Sequence, residues 1–597
     1  MNTYQTPIAD MLFDMYELSG MSDIAQLPGY EEVTPDLVEA ILEEIGKLGE
    51  EVLAPLNKIG DQQGSVLENG VVRTADGFKE AYQKFVEGGW NSIIFDPKYG
   101  GQGLPSLISV AVSETVQAAN MAFGLCPMLN QGAVELLTKH GSDALKTIYL
   151  ENMVSGVWPG TMNITEPSAG SDLGRIRTKA VPDGDHFRIS GTKIFITFGD
   201  HDFSDNIVHM VLARLDGAPE GIKGISLFVV PKFLVNEDGS LGQRNDVKAV
   251  SLEHKLGIHA SPTAVMSFGD DDGAIGYLVG EENHGIEYMF TMMNNERIGV
   301  GIQGVGIAER AYQHALGYAR ERVQSRKLGS TSKESVTIIQ HPDVKRMLLS
   351  MKSKTEASRA LVFFVAGQLD LSKSHPDADV RAKAFSLVDL LTPVVKAWCS
   401  DNGIEVANTG VQVHGGTGFI EESGAPQHLR DARIAAIYEG TNGIQANDLV
   451  GRKIGRDGGK AVQVFIEHIS PILDHLSNDS SDDFKAIHTQ LTRAIAALNK
   501  ASTWIVETYP SQPTQVAAGA VPYLELLGRT TGGWLLANSA LIAKRRLAEN
   551  SGDPKHLKGK ILSAQFFADH VLSGTESLSE IVLSGYRSVE AVDEADF

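Results

Sequence analysis

The feature that most constrains this chain is a change of hydrophobic period, from helix to strand and back. Up to about residue 155, stretches such as DLVEAILEEIGKLGEEVLAPLNKIG and GFKEAYQKFVEGGW carry apolar residues at three-and-four spacing, the stripe of an amphipathic helix. A Gly/Pro cluster from Phe95 to Pro105, FDPKYGGQGLP, breaks that block. From about 160 to 280 short runs of strand character take over. HFRISGTKIFIT reads as two strands joined at Ser190 and Gly191, and NIVHMVLARL, GISLFVVPKFLV and TAVMSF follow. Helical spacing returns from GIEYMFTMMNN onward and persists to Arg456. Blocks segregated in this way predict an α+β fold rather than an alternating α/β one. Beyond Gly451 to Lys460, turn signals at NDSSDD, YPSQP and NSGDP divide the remainder into four helical segments, which suits a small bundle.

A length of 597 residues with 42% hydrophobic content allows two to four domains. The net charge of -23 repels phosphate backbones and anionic headgroups, so nucleic acid and membrane surfaces are not expected partners. Two cysteines, Cys126 and Cys399, build neither a disulfide framework nor a metal site. The opening MNTYQTPIADMLFDMYEL has no Lys or Arg, against a secretory or transit segment, and no apolar run is long enough to span a bilayer. These features together point to a cytoplasmic protein.

GVGIQG, Gly299 to Gly304, matches a dinucleotide fingerprint, but such a fingerprint follows a strand and opens a helix. Here the flanks are helical on both sides, so small residues on a close-packed helix face explain it better. His254 and His259 show no acidic cage in the sequence and read as ordinary histidines. Three further stretches expose backbone: ITEPSAGSDLGRIRT, VQVHGGTGFIEE and IAAIYEGTNGIQAND. Each is by itself compatible with a plain loop. In the last, Asn442 and Gln445 stand at capping-box offset, which predicts a helix from about Gly443. The loop before it faces the positive helix end, and Glu439 lies beside Ile437 and Tyr438. An apolar cleft there would raise its basicity toward that of a general base.

Taken in order, YGGQGLP, TEPSAGSD, KIFIT, NNERIGVGIQGVGIAERAYQHALGYARERVQ, QVHGGTGF and RDARIAAIYEGTNGIQ resemble the acyl-CoA dehydrogenase family, over about residues 40 to 455. The length resembles a subgroup of roughly 600 residues with an extra helical domain, a size consistent with one more independent unit. That subgroup includes bacterial fatty acyl-CoA enzymes and 3-methylmercaptopropionyl-CoA dehydrogenases. The resemblance implies an N-terminal extension (1–39), an N-terminal helical domain (40–159) and a central β-barrel or sandwich domain (160–282). It also implies a C-terminal four-helix-bundle domain (283–455) and an extra helical domain (456–597). It implies FAD, with Met162, Ile164, Thr165, Ser171, Phe195, Thr197, Arg322, Gln324 and Thr441 near it, and Gln412 and Gly416 reaching it from a neighbouring subunit. Ser171, Asn294, Arg297 and Gly440 would meet acyl-CoA.

Glu439 would be the base for α,β-desaturation of the thioester. Glu296 is a second candidate, because some branches carry the base on that helix. Electron-transferring flavoprotein as acceptor, a homodimer, and no metal are also implied. The chain departs from the family pattern at Ser325 and Arg326, at Pro342, at Phe195 where many relatives have Trp, and at Gly443. A flavin oxidase of the same fold, and a DNA-binding alkylation-response relative, are the alternatives. The charge of -23 weighs against the second. The acyl chain stays open between methylthiopropionyl and medium or longer straight chains.

Overall fold

The computed structural model describes residues 4–479 and 481–597. The chain divides into two compact units, one of residues 44–299 and one made from the N-terminal segment to Glu43 together with 300–597.

In the unit 44–299, helices come first. Asn120 and Ser142 open the helices Met121–His140 and Asp143–Ser155 by accepting from the backbone N–H of Phe123 (3.1 Å) and Leu145 (3.3 Å), as short polar side chains do at N-caps. Ser106–Ala119 and Met121–His140 are buried on nearly every face, so they read as broadly apolar helices with little stripe. A hairpin the periodicity does not reveal pairs Val66–Glu68 with Val71–Arg73. Asn69 and Gly70 turn it at φ of 52° and 77°, the left-handed pair that a two-residue hairpin loop needs.

The central sheet runs, in spatial order, Val247–Leu252, Thr263–Phe268, His186–Thr197, Ala274–Leu278, Ile225–Pro231, Val208–Leu215 and Gly160–Asn163, with Lys179–Asp183 paired off this path. Its middle strands are buried on both faces. Met210, Leu212, Leu227 and Val229 join the core of Leu137, Tyr149 and Met153, while Val211, Ala213, Phe228 and Val230 join that of Ile189, Ile196 and Phe268. Side chains alternate between faces along a strand, and two apolar faces give a continuous apolar run. HFRISGTKIFIT is one strand of 12 residues, not two. Gly191, at φ 155°, keeps its place in the pairing and serves a close crossing; a Cβ there would lie 2.5 Å from Thr178 Oγ1. His259 does meet an acid, with its Nδ1 2.9 Å from Asp61 Oδ1, a partner too distant in sequence to be read from spacing.

The other unit is helical. From Val300 onward the helix Gly285–Glu321 belongs to it, with Pro342–Ser374 and Ala378–His414. GVGIQG lies inside the first of these, which rules out a strand before it. A Cβ at Gly301 would sit 2.4 Å from Val395 Cγ1, and one at Gly304 would sit 2.3 Å from the Cys399 carbonyl oxygen. These glycines therefore set a close helix–helix approach. Beyond residue 456 the structure has more pieces than the four segments expected. The long helices Asp482–Thr508, Ala520–Ala548 and Pro554–His570 pack on one another, and breaks at Gly519, Gly574 and Gly585 divide the rest. The N-terminal helical segment docks here through charge. Asp10 Oδ1 lies 2.5 Å from Lys560 Nζ and 2.8 Å from His556 Nε2, and Glu17 pairs with Arg546 at 3.1 Å. Among the described residues no helix is long and apolar enough to cross a membrane.

Candidate active site

Within the unit 44–299 the TEPSAGSD loop and the KIFIT strand end are bound edge to edge. Ile194 N–H donates to the Thr165 carbonyl (2.9 Å), and Lys193 Nζ donates to the Ile164 carbonyl (3.0 Å) and to Glu166 Oε1 (2.8 Å). Ile164 is buried; Met162, Thr165 and Thr197 are half-buried; Ser171 is exposed. Phe195 is the outlier. Register slips between Ala264 and Met266, so that Ile194 and Phe195 face the single Val265, a β-bulge. Phe195 takes φ 60° there and turns outward, leaving it 58% exposed between the half-buried Ile194 and the buried Ile196.

Glu296 sits on the helix Gly285–Glu321 with no exposed surface. Its Oε1 lies 2.5 Å from where a Cβ on Gly132 would be, so the carboxylate fills the notch that glycine leaves. Arg297 is buried and donates from Nη1 to Asn294 Oδ1 (3.1 Å), while Asn294 itself is exposed.

Glu439 belongs to the other unit, on a loop pinned at both ends. Tyr438 Oη donates to Gln303 Oε1, on the glycine-rich stretch of its helix. On the far side Asn442 Nδ2 donates to Asp401 Oδ1 (2.8 Å), Ser400 Oγ (3.0 Å) and the Ala397 carbonyl (3.2 Å), while Lys396 Nζ donates to Asn442 Oδ1 (2.8 Å). Burial pushes the Asp401 carboxyl up, against the opposing Asn442 bond. Asn442 is not the cap of the following helix. Thr441 is, with its Oγ1 accepting from Ile444 N–H at 3.2 Å, and the helix runs Asn442–Asp448. Asn442 is occupied instead by the neighbouring helix, and Gln445 donates to the Glu439 carbonyl (3.1 Å). Between the anchors, Glu439 and Gly440 adopt φ of 57° and 80°. A left-handed Glu costs about 1–2 kcal/mol, and such strain persists where the surroundings fix the loop. Glu439 is half-buried, beside an exposed Ile437 and an exposed Thr441.

Arg322 and Gln324 lie on an exposed hairpin, Val323–Arg326 with Ser335–Thr337, where Arg322 Nη2 is 3.4 Å from Gln324 Oε1. Gln412 and Gly416 are exposed at the end of Ala378–His414. Tyr318 brings the two regions side by side, stacking on His414 at 4.4 Å and donating to Thr417 Oγ1 at 3.4 Å. His414 belongs to a cluster with His314 and His428 in which burial holds all three neutral, His314 at about 3.

Sequence reasoning did not single out Lys193, Gln303, Lys396 or the histidine cluster. Lys193 carried a signal. It falls in phase with Ile189 and Gly191 on a strand, where alternation demands an inward residue.

Four family descriptions match successive parts of the chain. They are "Acyl-CoA dehydrogenase, N-terminal domain" at 39–157, "middle domain" at 161–270, "C-terminal domain" at 283–454, and "Acetyl-CoA dehydrogenase C-terminal like" at 460–593. The chain is 50% identical to a 3-methylmercaptopropionyl-CoA dehydrogenase of Ruegeria pomeroyi, over 96% of both chains. It is 33% identical to a broad-specificity linear acyl-CoA dehydrogenase of Mycobacterium tuberculosis, over 100% of both. Its fold is like that of Caenorhabditis elegans ACDH-11, solved in complex with C11-CoA, at a TM-score of 0.78 and 23% identity, covering 99% of this chain and 96% of that one.

Proposed function

The chain belongs to the acyl-CoA dehydrogenase family, and on that premise we propose that it desaturates a short acyl-CoA of the 3-methylmercaptopropionyl type with Glu439 as the base. As a member of this family it is an oxidoreductase acting on acyl-CoA, and its cofactor is FAD. The residues present suit that cofactor. A bulge turns Phe195 outward on the strand end that carries Thr197 and is bonded to the Thr165 carbonyl through Ile194, so an exposed aromatic side chain and two hydroxyl-bearing residues come from joined segments. Gly170 and Gly416 leave open space where side chains would stand. FAD, when bound, accepts the hydride from the β-carbon of the acyl chain.

The residues of the chain handle the proton. An α C–H is too weak an acid for a carboxylate in water, so the base must be partly desolvated and held still. Glu439 meets both needs, being half-buried on a strained loop anchored at Tyr438 and Asn442. Glu296 lacks access to a substrate instead, since its carboxylate has no exposed surface and is enclosed against Gly132. A backbone N–H at the base hydrogen-bonding to the thioester oxygen would stabilise the developing enolate by about 3–4 kcal/mol. Thr165, Ser171, Phe195 and Thr197 hold the ring, Met162 and Ile164 back that wall, and Thr441 lies beside the base. Arg322 and Gln324 meet the pyrophosphate half, Gln412 and Gly416 serve a second copy of the chain in a homodimer, and Asn294, Arg297 and Gly440 line the acyl-CoA path. Electron-transferring flavoprotein takes the electrons, and the cytoplasm is the proposed compartment.

The observation that carries the substrate is the 50% identity to the Ruegeria enzyme across the full length, against 33% to the linear-chain enzyme. Anaerobic titration with 3-methylmercaptopropionyl-, butyryl- and octanoyl-CoA tests it. Bleaching of the flavin at the lowest concentration by the first is expected; preference for octanoyl-CoA by tenfold or more would overturn the assignment.

A further inference from the structure

Beneath the exposed Phe195 lies a charged pair that no step of the reaction uses. Lys193 has no exposed surface and Glu166 only 5%. Besides Lys193, the Glu166 carboxylate accepts from Arg177 N–H (2.7 Å), Thr178 N–H (3.1 Å) and Thr178 Oγ1 (2.6 Å). One side chain thus gathers three segments: the loop 164–166, the chain entering the strand Lys179–Asp183, and the strand end 193–195. Lys193 closes the set by reaching the Ile164 carbonyl, while the next residue, Ile194, takes the Thr165 carbonyl. Thr165 is therefore bracketed by bonds from two adjacent residues, and Phe195 is the residue that follows them.

An ion pair this deep is a poor source of stability, because desolvation of both charges offsets their attraction and apolar substitutes of like volume do as well or better. Burial pulls the Lys193 ammonium down to about 8 in spite of its partner. Burial also pushes Glu166 up, yet the Lys193 charge and the hydrogen bonds hold it below the ordinary carboxylate range, so the pair is ionised near neutrality. What a fully bonded buried pair does supply is a single register.

We propose that Lys193 and Glu166 are positioning residues for the flavin site, fixing the spacing between Thr165 and the bulged Phe195 on which the ring rests. This rests on the FAD reading above. Neither side chain touches substrate or cofactor; both act through the two segments that do.

The test uses the full-length chain stripped of flavin and titrated with FAD. Lys193→Met is expected to weaken FAD binding by tenfold or more, to shift the visible flavin band, and to lower kcat with KM for acyl-CoA changed less than threefold. The double variant Lys193→Met/Glu166→Gln removes the uncompensated charge. It is expected to regain the wild-type melting temperature while FAD binding stays weak, which a merely structural role would not produce. Should Lys193→Met fail to fold, Thr178→Val, which removes one bond to Glu166, is expected to weaken FAD two- to fivefold with the same spectral shift. Wild-type affinity and spectrum in whichever of these variants folds would overturn the proposal. Failure of the unaltered chain to bind FAD would instead overturn the cofactor reading.

Discussion

Replacing Gly304 by alanine probes how the loop of Glu439 is held. The added Cβ would lie 2.3 Å from the Cys399 carbonyl oxygen and 2.8 Å from Ser400 N, both rigid backbone. Carbon and carbonyl oxygen settle near 3.3–3.6 Å, so the two helices must part locally by roughly 1 Å. Overpacking of this kind costs about 1–3 kcal/mol, and alanine returns about 1 kcal/mol of helix propensity. The net expectation is a loss of about 0–2 kcal/mol, modest against the effect on the site. The loop hangs between Gln303 on one helix and Lys396, Ser400 and Asp401 on the other, so parting them moves its anchors. A 1 Å misplacement of a reacting group can cost about 100-fold in rate. Gly317, on the same helix, has nothing within 4 Å of its missing Cβ and serves as the control. Stopped-flow bleaching of the flavin by saturating acyl-CoA, with urea midpoints alongside, should show Gly304→Ala slowed tenfold or more at unchanged FAD content. Gly317→Ala should be slightly stabilised and as fast as the unaltered chain. Equal reduction rates in the two variants would refute the reasoning.

Two other perturbations follow from buried charge. Burial first, with Lys232 second at His209 and His414 second at His314, holds these two at about 3, and burial keeps His201 and His428 well below their usual range. Their folded values lie below the unfolded 6.5, so stability is fully present above about pH 6.5 and falls as pH drops, by about 1.4 kcal/mol per unit for each. Asp14, pushed up to about 7 by burial, works in the opposite sense and offsets about one of the four. The urea midpoint should therefore decline between pH 7.5 and 5.5, more gently in His209→Gln; a flat profile would contradict this. Lys560→Met leaves Asp10, Asp14 and Glu356 without their shared ammonium, a break of the kind that costs about 3–5 kcal/mol. Hydrogen exchange should show lost protection over residues 8–24, and unchanged protection there would count against a charge-held N-terminal segment.

The switch of period from helix to strand and back was enough to place the helical and sheet regions, because the amphipathic helices leave a three-and-four trace and the strands short apolar runs bounded by turn residues. What it does not carry is anything set by a distant partner. The bulge that exposes Phe195 depends on the register of the strand Thr263–Phe268, so no local pattern announces it. The single strand His186–Thr197 looks divided because Gly191 imitates a turn, when its lack of a side chain serves a crossing at Thr178. Asn442 has the right offset for a capping box, yet four groups from another helix compete for it and Thr441 takes the role. Asn69 and Gly70 did announce their hairpin, a local turn signal overlooked among helical neighbours. Glu439 stood out through its motif. Its anchors, Gln303 and residues 396–401 of the helix Ala378–His414, are far away in sequence and became visible only in the fold.

The central claim is that the carboxylate at 439 removes the α-proton while FAD waits to accept the hydride. Anaerobic mixing of Glu439→Gln and Glu296→Gln with 3-methylmercaptopropionyl-CoA tests it directly. The account predicts that both variants purify yellow, that Glu296→Gln bleaches, and that Glu439→Gln is reduced about 1,000-fold more slowly, within the roughly 100- to 10,000-fold that a positioned general base contributes. A Glu439→Gln protein that bleaches normally, beside a Glu296→Gln protein that does not, would contradict it.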